Sequence, residues 1–167
     1  MTRYASLVSI TLAAALTVLA SPTSLGPSRA WSAPASGGKS KKSSSDLSEV
    51  LSSYEQVRAL LAADKMDGLA AAARGLASAA RKARQTDIEK AALPLAKAKD
   101  LASARKAFGK LSRPLVALVQ ADPALKKRLH VFECPMVTAG ENQWIQPTAE
   151  IQNPYMGKSM PTCGTKK

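Results

Sequence analysis

The residues with the clearest capacity for chemistry are gathered in the last third of the chain. Between Leu129 and Lys167 stand both cysteines, Cys134 and Cys163, three methionines, Met136, Met156 and Met160, and the chain's only histidine, His130. Phe132, Trp144 and Tyr155 share the same stretch. A solvated polar tail has no use for these residue types. The stretch is therefore expected to form a small ordered cap carrying whatever chemistry the protein performs.

Two readings of the sulfur atoms follow from their chemistry. In the first, Cys134 and Cys163 form a disulfide that closes a loop of about 30 residues and contributes roughly 3 to 4 kcal/mol by the chain-entropy argument. In the second, the two thiolates join the thioethers of Met136 and Met160 around a soft cation, because sulfur suits Cu(I) whereas calcium and magnesium seek oxygen. No CxxC pair occurs, so the spacing matches neither a standard zinc site nor the usual thiol–disulfide exchange centre. His130 is a further candidate ligand. Met156, beside Tyr155, suits ordinary apolar packing.

Other chemistry finds little support. A lone histidine with no identifiable nucleophile and orienting acid is a poor basis for hydrolysis, and no glycine-rich nucleotide loop or Glu-x-x-His pair occurs upstream. A non-enzymatic protein is expected. The formal net charge of +12 permits weak association with an anionic surface and serves solubility equally. No motif or aromatic–basic pattern points to nucleic acid.

The elements that must position the cap precede it. Arg3, the apolar run Leu7 to Ala20 and the small-residue site Ala33-Pro34-Ala35 resemble a secretory signal over residues 1–35, with a cut after Ala20 as an alternative. Export places the cysteines in an oxidising compartment, periplasmic or extracellular, and leaves no spanning segment in the mature chain. Residues 36–45 read as a flexible leader rich in Ser, Gly and Lys.

From Asp46, with Glu49 in capping-box spacing, Leu47, Val50, Leu51, Tyr54, Val57 and Leu61 share one helical face. Asp67-Gly68 breaks the pattern. A second, alanine-rich helix is expected from Leu69 to Arg84, burying Leu69, Ala72, Ala73, Leu76, Ala80 and Ala83. Thr86 with Glu89 suggests a capped third helix that Pro94 bends or ends. A fourth pattern from about Ala98 carries Leu101, Ala104, Phe108, Leu111, Leu115 and Leu118, with an interruption at Pro114 and a stop or new turn at Asp122-Pro123. Residues 46–167 are thus expected to be all-α, an antiparallel bundle of three or four helices with a small irregular C-terminal cap that includes one or two short strands. Leu129 to Glu133 is the strand candidate, and 139–142 reads as a surface turn.

With these residues in view, the C-terminal region resembles a family of exported bacterial domains of uncharacterised function, members of which are also attached to periplasmic adaptor subunits of copper and silver efflux pumps. The resemblance rests on Cys134-Pro135-Met136, Trp144, Gln146, Ile151, Asn153-Pro154-Tyr155, Gly157, Met160 and Cys163-Gly164. It departs at Met156, where a second aromatic residue would be more usual. The resemblance implies an envelope accessory protein for heavy-metal handling or efflux, with copper held by Cys134, Met136, Met160 and Cys163, and a periplasmic efflux component as partner. The alternative from the residues themselves is a disulfide-stapled envelope interaction module without metal or catalytic activity.

Overall fold

The computed structural model describes residues 40–167, with side chains from residue 44 onward. The expected signal segment, and the leader as far as residue 39, lie outside the described residues. Five helices are followed by three short strands: α1 (Ser40–Ala62), α2 (Leu69–Lys82), α3 (Thr86–Leu95), α4 (Leu101–Ala121), α5 (Pro123–Lys126), β1 (His130–Glu133), β2 (Gln143–Gln146) and, after a 3-10 turn at Gly157–Ser159, β3 (Thr165–Lys166). The architecture is a helical bundle with a small, open C-terminal sheet.

Amphipathic periodicity builds the bundle. On α1, Val50, Tyr54, Val57 and Leu61 are buried at three- and four-residue spacing. The helix opens at Ser40 rather than at the anticipated Asp46. Residues 40–45 contain neither proline nor glycine, so nothing in the chain blocks extension of a helix whose following turns are packed. Gly68 then starts α2 at φ 79°, a left-handed conformation that glycine adopts without the steric cost of a Cβ. Leu69, Ala73, Leu76, Ala77, Ala79 and Ala80 line the buried side of α2. Ala72 and Ala83 lie at the edge of that stripe, half-buried.

Helix α3 begins with Thr86 already inside it, so the residue at the cap is Gln85, whose side chain makes no capping bond. Asp87 and Glu89 place negative charge in the first turn, where it complements the helix dipole. Pro94 precedes the last residue of α3 and marks its end, as anticipated. A complete capping box opens α4: Asp100 accepts from the Ser103 amide at 2.7 Å, and the Ser103 hydroxyl lies 3.4 Å from the Asp100 amide. Helix α4 then runs through Pro114 without a break. The carbonyl deprived of its donor belongs to exposed Lys110, where water can replace the missing amide. Asp122 stops α4 and caps α5, accepting from the Ala124 amide at 2.8 Å.

Consecutive helices pack on one another through short connections, and α4 also meets the sheet. The strand order is β2-β1-β3 with both pairings antiparallel, so there is one more strand than expected. Phe132 pairs with Trp144 and Val131 with Ile145 across β1 and β2. The turn at 139–142 is present, with Gly140 at φ 89°, but its last residue, Asn142, is buried.

Every Phe, Tyr and Trp of the described residues belongs to one column. Tyr54 stacks on Phe108 at 5.3 Å between centroids, Phe108 meets the edge of Tyr155 at 5.6 Å, Tyr155 the edge of Trp144 at 5.9 Å, and Trp144 stacks on Phe132 at 5.5 Å. These spacings lie within the favourable range for aromatic pairs. Phe108 is fully buried and touches rings from both the bundle and the cap. Phe108→Ala should cost about 3 to 5 kcal/mol in denaturant-induced unfolding, from lost transfer energy and the cavity left behind. Near-ultraviolet dichroism, which reports the packing of Trp144 and the tyrosines, should weaken with it.

Candidate functional site

Each cysteine sits in a proline turn. After β1 the chain turns at Cys134-Pro135-Met136-Val137, with the Val137 amide donating to the Cys134 carbonyl at 3.4 Å. Before β3 it turns at Met160-Pro161-Thr162-Cys163, with the Cys163 amide donating to the Met160 carbonyl at 3.2 Å. Proline at the second position pre-sets the backbone angle both turns need. The turns bring Cys134 and Cys163, far apart in sequence, to a sulfur–sulfur distance of 3.9 Å as two free thiols.

The other expected ligands fare differently. Met136 and Met160 lie in the same two turns as the cysteines and face solvent, 64% and 40% exposed. His130 begins β1 whereas Cys134 follows its end, a separation of roughly 13 Å at the rise of a strand. It meets the edge of Phe132 at 6.3 Å and takes no place beside the thiols. Met156 packs half-buried against the core, the role its position beside Tyr155 suggested. Among the described residues no group of three or more His, Cys, Asp or Glu side chains converges.

The two thiols differ in burial. Cys134 is fully buried; its amide donates to the Asn142 carbonyl at 2.9 Å, and Asn142 Nδ2 donates back to the Cys134 carbonyl at 3.3 Å. Burial first, and then the hydrogen bond and charge of Cys134, push the Cys163 thiol above its ordinary pKa. Cys163 therefore stays protonated at neutral pH. That is the opposite of the depressed pKa that marks a catalytic cysteine.

Three buried polar side chains, unremarked in the helical and strand patterns, give the cap its shape. Asn153 accepts from the Tyr155 amide at 2.7 Å and the Met156 amide at 3.0 Å, and its Nδ2 donates to the Cys163 carbonyl at 2.5 Å. Gln146 accepts from Trp144 Nε1 at 2.9 Å and donates to the carbonyls of Thr148 and Glu150. Arg58, 2% exposed on α1, holds Glu55 with two hydrogen bonds and donates to the carbonyl and side-chain oxygens of Gln152 at 2.8 and 2.9 Å. Among the described residues no buried side-chain nitrogen or oxygen lacks a partner. Arg58 stands four residues after Tyr54 and three before Leu61, inside an apolar stripe. That misplaced charge was the available sequence signal for a helix-to-cap clamp.

A second clamp joins the α1–α2 corner to the cap. Arg105 donates to the Pro154 carbonyl at 3.0 Å and the Leu61 carbonyl at 3.3 Å and forms an ion pair with Asp64, while Asp64 Oδ2 accepts from the Lys158 amide at 3.0 Å. Gly157 closes against this pair at φ 54°, and a Cβ there would fall on the Asp64 carboxylate and the Arg105 guanidinium. The arrangement is suited to fixing a surface.

Gly157→Ala should cost about 2 to 4 kcal/mol in chemical unfolding, combining a left-handed backbone with a collision against a charged pair. The Lys158 amide and then the Arg105 guanidinium hold the Asp64 carboxyl below its ordinary pKa. A carboxyl lowered on folding stabilises the protein above its unfolded pKa, and that contribution disappears as pH falls through the folded value. Asp64→Asn should therefore lower stability by about 1 to 2 kcal/mol at neutral pH and make the remaining stability less steep below about pH 4, as read from unfolding curves across the acid range. Comparison of the chain with protein-family models, curated proteins and solved structures finds no match.

Proposed function

We propose that the chain is an envelope interaction module, without turnover and without a resident metal, whose cap is a recognition surface held in one shape and locked by a disulfide between Cys134 and Cys163. The observation that carries this reading is the inward commitment of the cap's buried polar groups. Arg58, Gln146 and Asn153 direct their hydrogen bonds at cap backbone, at Trp144 and at neighbouring side chains. A module that presents a fixed irregular surface needs such an interior. Export, expected from the N-terminal sequence, would supply the oxidising compartment in which the pair closes. Closure brings the sulfurs from 3.9 Å to about 2.05 Å, a shift within reach of the exposed Met160–Cys163 turn. The thiols lose two protons and two electrons to a disulfide exchange partner.

One observation favours a second reading, in which the module is an accessory for copper handling, the context implied by its resemblance to domains attached to efflux adaptors. Two thiolates sharing a tetrahedral metal at about 2.3 Å lie about 3.8 Å apart, close to the separation of Cys134 and Cys163, and Met136 and Met160 are exposed in the same turns. Binding would have to displace the proton that the raised pKa holds on Cys163, so affinity would climb with pH.

Competition for Cu(I), run on reduced and on oxidised protein with free thiols counted in each, separates the two. The module reading expects no free thiols in protein recovered from an oxidising compartment, no competitive Cu(I) binding by it, and a loss of roughly 3 to 4 kcal/mol of stability on reduction. It also expects a photo-crosslinker at exposed Thr148 or Lys158 to label one envelope protein in cells, with labelling lost in Cys134→Ser. Tight one-to-one Cu(I) binding confined to reduced protein, and abolished by Met136→Leu with Met160→Leu, would replace it with the copper reading.

A further inference from the structure

The cations of the described residues fall into two populations. Arg58, Arg81, Lys82, Arg105 and Lys167 are each ion-paired with a carboxylate. Lys97, Lys99, Lys106 and Lys110 are not, although the fold brings them together along an open groove of about 420 Å³ between the α3–α4 connection and α4. The single acid lining that groove, Asp100, is engaged in capping α4 through Ser103. The groove thus presents four exposed ammonium groups against the single carboxylate of Asp100, and no lysine among them is ion-paired. Its field extends along α4, where Arg113 follows Lys110 by three residues and is also exposed.

An apolar feature accompanies the charge. Leu93, 42% exposed, precedes Pro94, which lines the groove, and Lys90 and Lys97 flank it at three- and four-residue spacing. Long lysine stems cover apolar surface while their heads reach for phosphate. A leucine standing among lysines is the composition of a surface that settles at the boundary between lipid headgroups and acyl chains.

We propose that the α3–α4 groove docks the protein on an anionic phospholipid surface. The lysines meet lipid phosphates as point charges, and Leu93 enters the headgroup layer. Nucleic acid fits this face less well. Every Phe, Tyr and Trp of the described residues is in the buried column, and no ring lines the groove for a base to stack on; the groove also holds no arginine fork for reading a base edge. A phosphate backbone would also leave Leu93 without a partner. The groove shares no residue with the cysteine turns, so this docking is independent of what the cap recognises.

The test is co-sedimentation of the full chain with vesicles of phosphatidylcholine alone or phosphatidylcholine mixed with phosphatidylglycerol, at low and high salt. Because all variants carry the same apolar N-terminal run, its contribution cancels between them. The chain should prefer the anionic vesicles and be released by salt. Replacing Lys97, Lys99, Lys106 and Lys110 together with Gln should weaken binding at least about thirtyfold, from roughly fivefold per lysine discounted for incomplete contact. A charge-matched variant with Arg74, Arg84, Lys126 and Lys127 changed to Gln should weaken it by less than about threefold. Leu93→Ser, at unchanged charge, should weaken it about three- to tenfold. Equal losses in the two charge variants would reduce the effect to net charge and overturn the proposal. So would wild-type binding by the groove variant, equal retention by neutral vesicles, or a stronger groove-dependent preference for duplex RNA in the same competition.

Discussion

The column of rings from Tyr54 through Phe108, Tyr155 and Trp144 to Phe132 is the interaction on which the rest of the structure depends. Its first two members come from helices α1 and α4, and the remaining three from the cap and its sheet. An alanine-rich bundle supplies little apolar area per turn, and a cap built of short strands and proline turns supplies little of its own. Stacking the rings across the boundary lets each half bury its large residues against the other. The bundle and the cap therefore share one core. The cysteine turns inherit their position from that core, since Cys134 directly follows the strand that carries Phe132, and Gly164, next to Cys163, closes against Trp144.

Polar clamps complete what the rings begin. Irregular backbone leaves amides and carbonyls without the partners that a helix or sheet supplies, and burying them unpaired is costly. Asn153, Gln146, Arg58 and Arg105 meet those groups one by one. The result is a cap in which, among the described residues, every buried side-chain nitrogen and oxygen has a hydrogen-bond partner. The cysteine pair is set by the same network, since the Asn153 side chain donates to the Cys163 carbonyl and the Asn142 side chain to that of Cys134.

Charge is distributed on a different plan. Carboxylates neutralise cations where the fold needs a clamp, as at Arg58 and Arg105, or where helices meet, as at Lys82 with Glu49 on α1 and Arg81 with Glu89 on α3. Along the α3–α4 groove none of the four lysines is ion-paired with a carboxylate. Exposed ion pairs contribute little to stability, so an unpaired face costs the fold little and remains available for an external anion. The high net charge of the chain becomes informative only when paired and unpaired cations are separated in space.

The helical bundle was legible in the sequence because burial on one face leaves a three- and four-residue period that needs no partner to be read. Val50, Tyr54, Val57 and Leu61 announced α1, and Leu69, Ala73, Leu76 and Ala80 announced α2. Proline was less informative: Pro94 marked an end whereas α4 runs on through Pro114, although both leave the carbonyl of an exposed lysine without its donor. Within the cap, the concentration of Cys, Met and aromatic residues pointed to an ordered element, and Tyr155 and Trp144 were recognisable as packing residues. The pairing of β3 and the hydrogen bonds of Gln146 and Asn153 had no local signature, whereas the separation of His130 from Cys134 follows from the strand expected at Leu129 to Glu133. By itself the sequence determined which residues must be buried and which segments are helical, because periodicity and side-chain hydrophobicity are local properties. Only the tertiary structure decided that Cys134 meets Cys163 and that Arg58 holds the cap, because each depends on contacts between segments distant in the chain.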